Sequence, residues 1–594
     1  MITRLKRWFP CLMLLVFGLS ACGLEGGAVA PPTVAPLEAP PPTTVSAQPT
    51  IEPPAVQTWN LGVTEEPLDL YPYSYTARTA LPLIELLYPA PLQVVDEVYT
   101  TTGVLEQVPS FANGDVAYVT TTVYLDTTGA ITQTQTDVVS SVAQLTVTYR
   151  WNKNLRWSDG TPVTAPDSVF AYELLRGSST TAQLAIQSDL TADYVALDDH
   201  TTKAYLPPQR DDPNYLNTVW TPLPSHLFDD SATVESVSDL LGRQPLGYGL
   251  YRLDAWIEGT QLNFVRSDAA LHADVPERLT VRLYPDVATL HDDVVQGSVD
   301  VGWTEQLPEA ITTTLQANVQ NKTLALWTIE TPIWEHIDLN LAVGALQDIR
   351  MRRALAYGFN RDQLSATLYG SAVAVWHSWI APDSWAYGGA AITRYEYDPT
   401  QARALLDEIN YKDTDGDGIR ENPAGEPFAL SLITSEQTAI RSAISSAFIT
   451  DMAQIGLRIN LETLPTNQLY GQQGPLFQRK FELALFGWLR TVEPNGAVLW
   501  SCAAIPNKIN GYTGDNFTGW CIDTADAAIR TANSTLDQAI RVAAYSEHQA
   551  VFTREIPIIP VLARQMTVLA GPTIRGLHPS TFAPPTWNLA GWSR

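Results

Sequence analysis

Tyr149-Arg150-Trp151-Asn152-Lys153-Asn154-Leu155-Arg156-Trp157-Ser158-Asp159-Gly160-Thr161-Pro162-Val163-Thr164-Ala165-Pro166-Asp167-Ser168-Val169 joins a strand to a helix. Residues 145–149, apolar and β-branched, read as the strand. Thr164-Ala165-Pro166-Asp167 is a capping box, with the Asp167 carboxylate set against the free amide of the cap, and the helix continues through Val169, Phe170 and Leu174. The same alternation extends in both directions. Asp398-Pro399 supplies an N-cap with proline at the first helical position, after which Ala402, Leu405, Leu406 and Ile409 recur on one face. Residues 279–283, 457–461 and 481–486 are strand-like, so the chain is mixed α/β throughout. Residues 120–141, full of Thr, Asp and Gln around a Thr127-Thr128-Gly129 turn, read as a solvent-exposed hairpin excursion and not as a domain.

The N-terminus sets the compartment. Arg4, Lys6 and Arg7 precede an apolar run that ends in Leu19-Ser20-Ala21-Cys22, a pattern that resembles a bacterial lipobox. A signal peptide over 1–21 and a mature chain beginning at lipid-bearing Cys22 are expected. The run is too short to cross about 30 Å of hydrocarbon with room to spare. Residues 31–54 are rich in proline interleaved with Ala, Thr and Val, which builds no core and favours extended conformations, so 22–57 reads as a tether. The remaining body exceeds the ~250–300 residues at which single cores stop growing, and two or three lobes are expected. A net charge of −27 argues against nucleic acid and anionic lipid surfaces. Seventeen tryptophans and 24 tyrosines are a high aromatic load; most must be core, and a surplus is also what stacking sites for sugars or adaptable solute clefts require. With Cys11 lost with the signal and Cys22 consumed by lipid, Cys502 and Cys521 remain as one disulfide, closing an Asn-, Gly- and Thr-rich loop and worth about 3 kcal/mol.

The opening stretch resembles the signature segment of the family 5 extracellular solute-binding proteins, the peptide, nickel and oligosaccharide receptors of ABC importers. Further elements follow in that family's order: Leu68-Asp69-Leu70-Tyr71-Pro72, then Pro222-Leu223-Pro224-Ser225-His226-Leu227, then Gly247-Tyr248-Gly249-Leu250-Tyr251 with Leu250 in place of proline. Asp348-Ile349-Arg350-Met351-Arg352-Arg353-Ala354-Leu355, Tyr397-Asp398-Pro399, Phe486-Gly487-Trp488 and Ile556-Pro557-Ile558-Ile559-Pro560 complete the series. The resemblance implies a bilobal type II periplasmic-binding-protein-like fold with an extra early lobe: lobe I over 58–303 with an insertion at about 85–185, a second main lobe over 304–556, and a return to lobe I over 557–594. It places the hinge crossings near Asp300-Val301-Gly302-Trp303 and near 556–561.

No Gly-x4-Gly-Lys-Ser/Thr loop, His-Glu-x-x-His pair or Gly-x-Ser-x-Gly elbow occurs, and no histidine stands four residues from another, so binding is expected and catalysis is not. By resemblance Trp488 is an apolar wall of the ligand cleft, with packing under the hinge as its alternative; Trp303 and Trp376 are further candidates, with core packing as the alternative, as are Tyr73 and Tyr75, which could instead cover the lobe surface. In the family's peptide-binding branch an aspartate three residues beyond the tryptophan pairs with the ligand's α-amine. Thr491 stands there instead, Arg490 adds positive charge where an amine would sit, and Glu493 aligns with a later acidic position. Losing one partner of a desolvated ion pair removes about 2–5 kcal/mol, which moves the expectation from an ordinary free-amine peptide toward a sugar, an anionic solute or a modified peptide.

Asp413, Asp415 and Asp417, followed by Gly418, match positions 1, 3, 5 and 6 of a calcium loop, but position 12 is Ala424; Glu421 or Glu426 is the possible replacement, and an acidic turn is the alternative. Such an ion would be structural, and no other cofactor is expected. The leading expectation is a monomeric, lipid-anchored extracytoplasmic receptor that closes on a peptide or small solute and delivers it to ABC permease subunits. The rivals are a lipoprotein hydrolase with paired carboxylates about 5–10 Å apart, and a receptor serving a sensor protein.

Overall fold

Two long strands, Ala325–Leu339 and Ile558–Ala570, carry the architecture, because each is shared by both lobes of a ten-stranded sheet. The computed structural model describes residues 57–594 apart from 75–79, 133, 137, 178–181, 272–273, 306–308, 370–372 and 436–437. The expected signal peptide, Cys22, the proline-rich tether and Tyr75 fall outside the described residues. The sheet runs Arg458–Leu464, Ala429–Ser435, Leu483–Leu489, Ala325–Leu339, Ile558–Ala570, Val301–Thr304, Thr58–Val63, Arg278–Leu283, Gln261–Arg266 and Tyr251–Ile257. The first half of Ala325–Leu339 pairs Ala325 with Ala570 and Glu330 with Gln565, whereas its second half pairs Ile333 with Leu489 and Leu339 with Leu483. The register breaks between Glu330 and Trp334.

That break corrects the first hinge crossing. Trp303 lies on Val301–Thr304, whose partners Thr58–Val63 and Thr567 to Ala570 are all lobe I strands. Leu315 of the following helix, Glu309–Gln320, packs with Leu290, Leu324 and Leu569 in a lobe I cluster. Lobe I therefore runs to about residue 330 and not to 303, and the chain crosses near Glu330 to Trp334. The second crossing lies within Ile558–Ala570: Ile559 and Val561 belong to the second lobe's core with Phe448 and Leu483, and Met566 and Val568 to that of lobe I.

The early insertion is a five-stranded sheet in the order Ile131–Thr132, Val116–Leu125, Val139–Arg150, Thr201–Tyr205 and Asp193–Asp198, flanked by the helices Ala165–Leu175 and Ala182–Leu190. It begins and ends later than the expected 85–185, since its last two strands lie beyond residue 190. The Thr-rich excursion is a hairpin, as expected, and its arms are the two longest strands of this sheet, paired from Val116–Val147 to Tyr124–Val139. Alternating exposed residues along Val116–Leu125 mark its solvent face.

The opening stretch is a scaffold. The Thr164 N–H donates to Asp167 Oδ2 at 2.8 Å, closing the capping box, and the other oxygen of Asp167 accepts from the Ser225 hydroxyl at 2.6 Å. His226 Nε2 meets Asp159 Oδ2 at 2.9 Å, and the Ser158 N–H donates to the Gly247 carbonyl at 2.8 Å. Gly247 and Gly249 are required by close approach, since a Cβ at either would lie 2.1 and 2.2 Å from the carbonyl oxygens of Leu87 and Leu86. Three segments far apart in sequence thus lock one corner of the molecule, and none of their residues lines the cleft described next.

Candidate functional site

Leu483–Leu489 is apolar along its first four residues and buried on both faces, as expected of a central strand. Its Gly487 admits Ile333 and Glu335 from the neighbouring strand, which would stand 2.9 and 3.1 Å from a Cβ there. Beyond Gly487 the strand leaves the core, so Trp488 is half-buried and turns one face to a cavity of about 130 Å³. Water needs ~10–15 Å³ by the same measure, so there is room for a small solute or a ligand's side chain. Trp334, Trp379 and Val498 form further walls, and Ile186 of the inserted lobe's helix Ala182–Leu190 faces them from across the cleft.

The walls are held from behind. Trp488 stacks on Phe517, ring centroids 5.8 Å apart, and Trp334 stacks on Trp376 at 5.4 Å. Trp379 donates its indole N–H to His548 Nδ1 at 3.2 Å, and burial pulls that histidine down to about 3, keeping it a neutral acceptor. Phe517 sits in the loop closed by the Cys502–Cys521 disulfide, whose Cα atoms are 4.9 Å apart. Fully buried Asn516 donates its side-chain amide to the carbonyls of Ser501 and Trp520 at 3.0 and 2.8 Å, and the Asp515 N–H reaches the Val498 carbonyl at 3.2 Å.

Asp515, so placed, lines the cavity. Among the described residues its carboxylate has neither an ion-pair partner nor a hydrogen-bond donor, and burial pushes it up to about 6. It is also the only carboxylate among the described residues lining the cavity. The sequence reading missed it; the available signal was its position in a loop stapled by the two cysteines.

Arg490 behaves differently from its expected role as a free positive charge. Its guanidinium meets Asp383 at 2.9 and 3.1 Å, Glu97 at 3.3 Å and Glu330 at 3.5 Å, and is only 7% exposed. Three carboxylates more than neutralise it, which removes the argument for an anionic solute. Burial and the neighbouring Asp383 charge raise Glu97, and burial raises Glu330, while Arg490 pulls both down. Glu97 heads the hairpin formed by Leu92–Val95 and Val98–Thr101, and Phe582 of the C-terminal segment lies 5.0 Å below the guanidinium. Arg490, carried by the second lobe, therefore ties it to lobe I across the mouth of the cleft.

Of the other sequence candidates, Thr491 lines the cavity and spends its hydroxyl on the Glu493 carbonyl at 2.6 Å. Glu493 points away and is ion-paired with Arg541 at 2.6 Å, so it does not stand in for the missing aspartate. Trp376 is fully buried behind Trp334, with its ring 5.8 Å from the Arg490 guanidinium; it supports the wall without forming it. Trp303 is fully buried in the lobe I core, and Tyr73 packs beside Trp220 and donates its hydroxyl to the Thr221 carbonyl at 2.8 Å. Burial removes both from the cleft. Trp488, Arg490 and Thr491 are thus the sequence candidates that the fold brings together.

Several known proteins are similar to this chain. The peptide transport periplasmic protein SapA of Salmonella typhimurium is 26% identical over 364 residues, covering 60% of this chain and 61% of that protein. The oligopeptide-binding protein AppA of Bacillus subtilis is 21% identical over 372 residues, 60% of this chain and 65% of its own. These matches span less than two thirds of either relative. Among solved structures, Bacillus subtilis AppA in complex with a nonapeptide superposes with a TM-score of 0.68 at 17% identity, covering 90% of this chain and 98% of that one. NikA of Brucella suis in complex with Fe(III)-EDTA gives 0.70 at 15% identity, covering 90% and 99%. Both are type II periplasmic binding proteins, and this chain has their fold. The model of the bacterial extracellular solute-binding proteins, family 5 middle region, matches residues 135–508, and the chain belongs to that family.

Proposed function

We propose that this protein is an extracytoplasmic solute receptor, held to the bacterial membrane by lipid on Cys22, that closes its lobes on a small amine-bearing solute and presents it to the permease of an ABC importer. The observation that carries the reading is the interlobe cavity with aromatic walls and one uncompensated carboxylate, Asp515. A desolvated carboxylate without a partner is unfavourable until a cation arrives, so the empty site stores a preference for positive charge. Relatives named as peptide transport and oligopeptide-binding proteins support the peptide class. In this reading Asp515, which lines the same cavity as Thr491, supplies the negative charge that Thr491 lacks. A hydrolase would need a second carboxylate about 5–10 Å from the first, and the cavity offers none among the described residues.

Calorimetric titration of the full chain with short peptides and with the same peptides N-acetylated tests the assignment. Binding of the free-amine series with at least a tenfold loss on acetylation is expected. Equal binding of both series, or binding confined to neutral sugars or anionic solutes, would overturn it.

A further inference from the structure

Away from the cleft, the loop between the helix Pro399–Glu408 and the strand Ala429–Ser435 gathers four carboxylates. One oxygen from each of Asp413, Asp415, Asp417 and Glu421 lies within 4.8 Å of the others. None of the four has an ion-pair partner among the described residues, so the repulsion within the group goes uncompensated by protein charge. The arrangement depends on a short hairpin: the Glu421 N–H donates to the Lys412 carbonyl at 2.9 Å and the Lys412 N–H returns to Glu421 at 3.2 Å. This folds the ninth residue of the loop back beside the first. Glu421 thereby occupies the place that Ala424 leaves vacant at position 12 of an EF-hand-like spacing, while Glu426 bonds to Asn422 instead.

Glu421 itself points to a ligand. It is only 5% exposed. Its Oε2 accepts the N–H and hydroxyl of Thr414, both at 2.7 Å, but its Oε1 is buried and meets no donor among the described residues. A buried carboxylate oxygen without a partner is costly, and a cation is the group that would satisfy it beside three further carboxylates. We infer that Asp413, Asp415, Asp417 and Glu421 form a calcium site.

Calcium suits the spacing better than magnesium does. Oxygens around calcium stand about 2.3–2.6 Å from the ion, so opposite ligands reach about 4.6–5.2 Å apart; magnesium at about 2.0–2.1 Å demands a tighter, near-ideal octahedron. The other end of the loop is pinned to the second lobe, because Arg420 donates to the Ile455 carbonyl at 2.8 Å and to Asp407 at 2.6 Å. An ion would rigidify this edge of the lobe without touching the solute.

Titration of the full chain, stripped with EGTA, with calcium chloride in a calorimeter tests the site. One ion per chain is expected, with affinity at least tenfold weaker in Asp415→Asn and in Glu421→Gln and at least tenfold weaker for magnesium chloride. Asp415 is exposed, so Asp415→Asn reports on the ion even where Glu421→Gln perturbs the loop. The thermal midpoint of the wild type rises with calcium, and that of Asp415→Asn rises less at the same calcium concentration. Absence of binding at millimolar calcium, unchanged affinity in Asp415→Asn, or equal affinity for magnesium would overturn the calcium assignment.

Discussion

Replacing Arg490 by methionine keeps the bulk of the side chain and removes its charge, leaving Glu97, Glu330 and Asp383 facing one another across the mouth of the cleft. Truncating one member of a desolvated charge network costs about 2–5 kcal/mol. Asp383 is 57% exposed and therefore screened, which places the expected cost in the lower part of that range, about 2–3 kcal/mol. The closed-to-open ratio should fall by about 30- to 160-fold at ~1.36 kcal/mol per decade. Hydrogen-exchange mass spectrometry reads this directly in residues 93–101 and 381–387, whose amides should exchange faster by that factor after correction for the intrinsic rate. Acid should reverse the effect. Glu97 and Glu330 already sit above the ordinary glutamate value in the closed state, and without Arg490 they rise further. The closed state then binds more protons than the open one, so closure strengthens as pH falls through the raised values and weakens as pH climbs above them. Unchanged protection in Arg490→Met at pH 7.5, or lost protection that acid does not restore, would refute the charge-clamp argument.

Further consequences follow from the same structure. Because Asp515 titrates near 6, affinity for a cationic solute should fall by about tenfold for each pH unit below that value, a dependence that Asp515→Asn abolishes. The raised value means that the empty folded protein gains stability as pH falls from about 6 toward the unfolded value; Asp515→Asn should therefore raise unfolding free energy at pH 7.5 by about 1–3 kcal/mol while weakening the solute, measurable by urea titration. Replacing both Cys502 and Cys521 by serine should cost about 3 kcal/mol in the same assay and loosen the loop holding Asp515 and Phe517, with at least a tenfold loss of solute affinity. Glu335, fully buried between Arg441 at 3.2 Å and Arg564 at 2.7 Å, should on replacement by glutamine cost about 3–5 kcal/mol; a change under 1 kcal/mol would show that the arginines find other partners.

Local signals in the sequence were legible where chemistry and neighbours agree. The Thr164 capping box, the Asp398 cap, which accepts from Thr400 and Gln401, and the apolar runs of the central strands all fold as their side chains dictate. The disulfide followed from counting cysteines. The hinge lies about 30 residues beyond the place that the resemblance implies, because only pairing partners distinguish a strand inside lobe I, such as Val301–Thr304, from one leaving it, such as Ala325–Leu339. Sequence leaves Trp303 and Tyr73 open between the cleft and packing within the lobe, because an aromatic side chain gives no sign of whether it faces a core or a cavity. Arg490 was read as a free charge because Glu97, Glu330 and Asp383 lie 107 or more residues away from it. Asp515 stayed hidden because its significance rests on what it lacks, a partner within the cavity.

Native mass spectrometry of the full chain released in mild detergent tests the central claim most directly. A small amine-bearing solute that co-purifies, leaves at low activation energy and is missing from Asp515→Asn is the expected result. An anionic solute retained equally by Asp515→Asn, or an empty protein that cleaves peptides or glycans, would contradict the account.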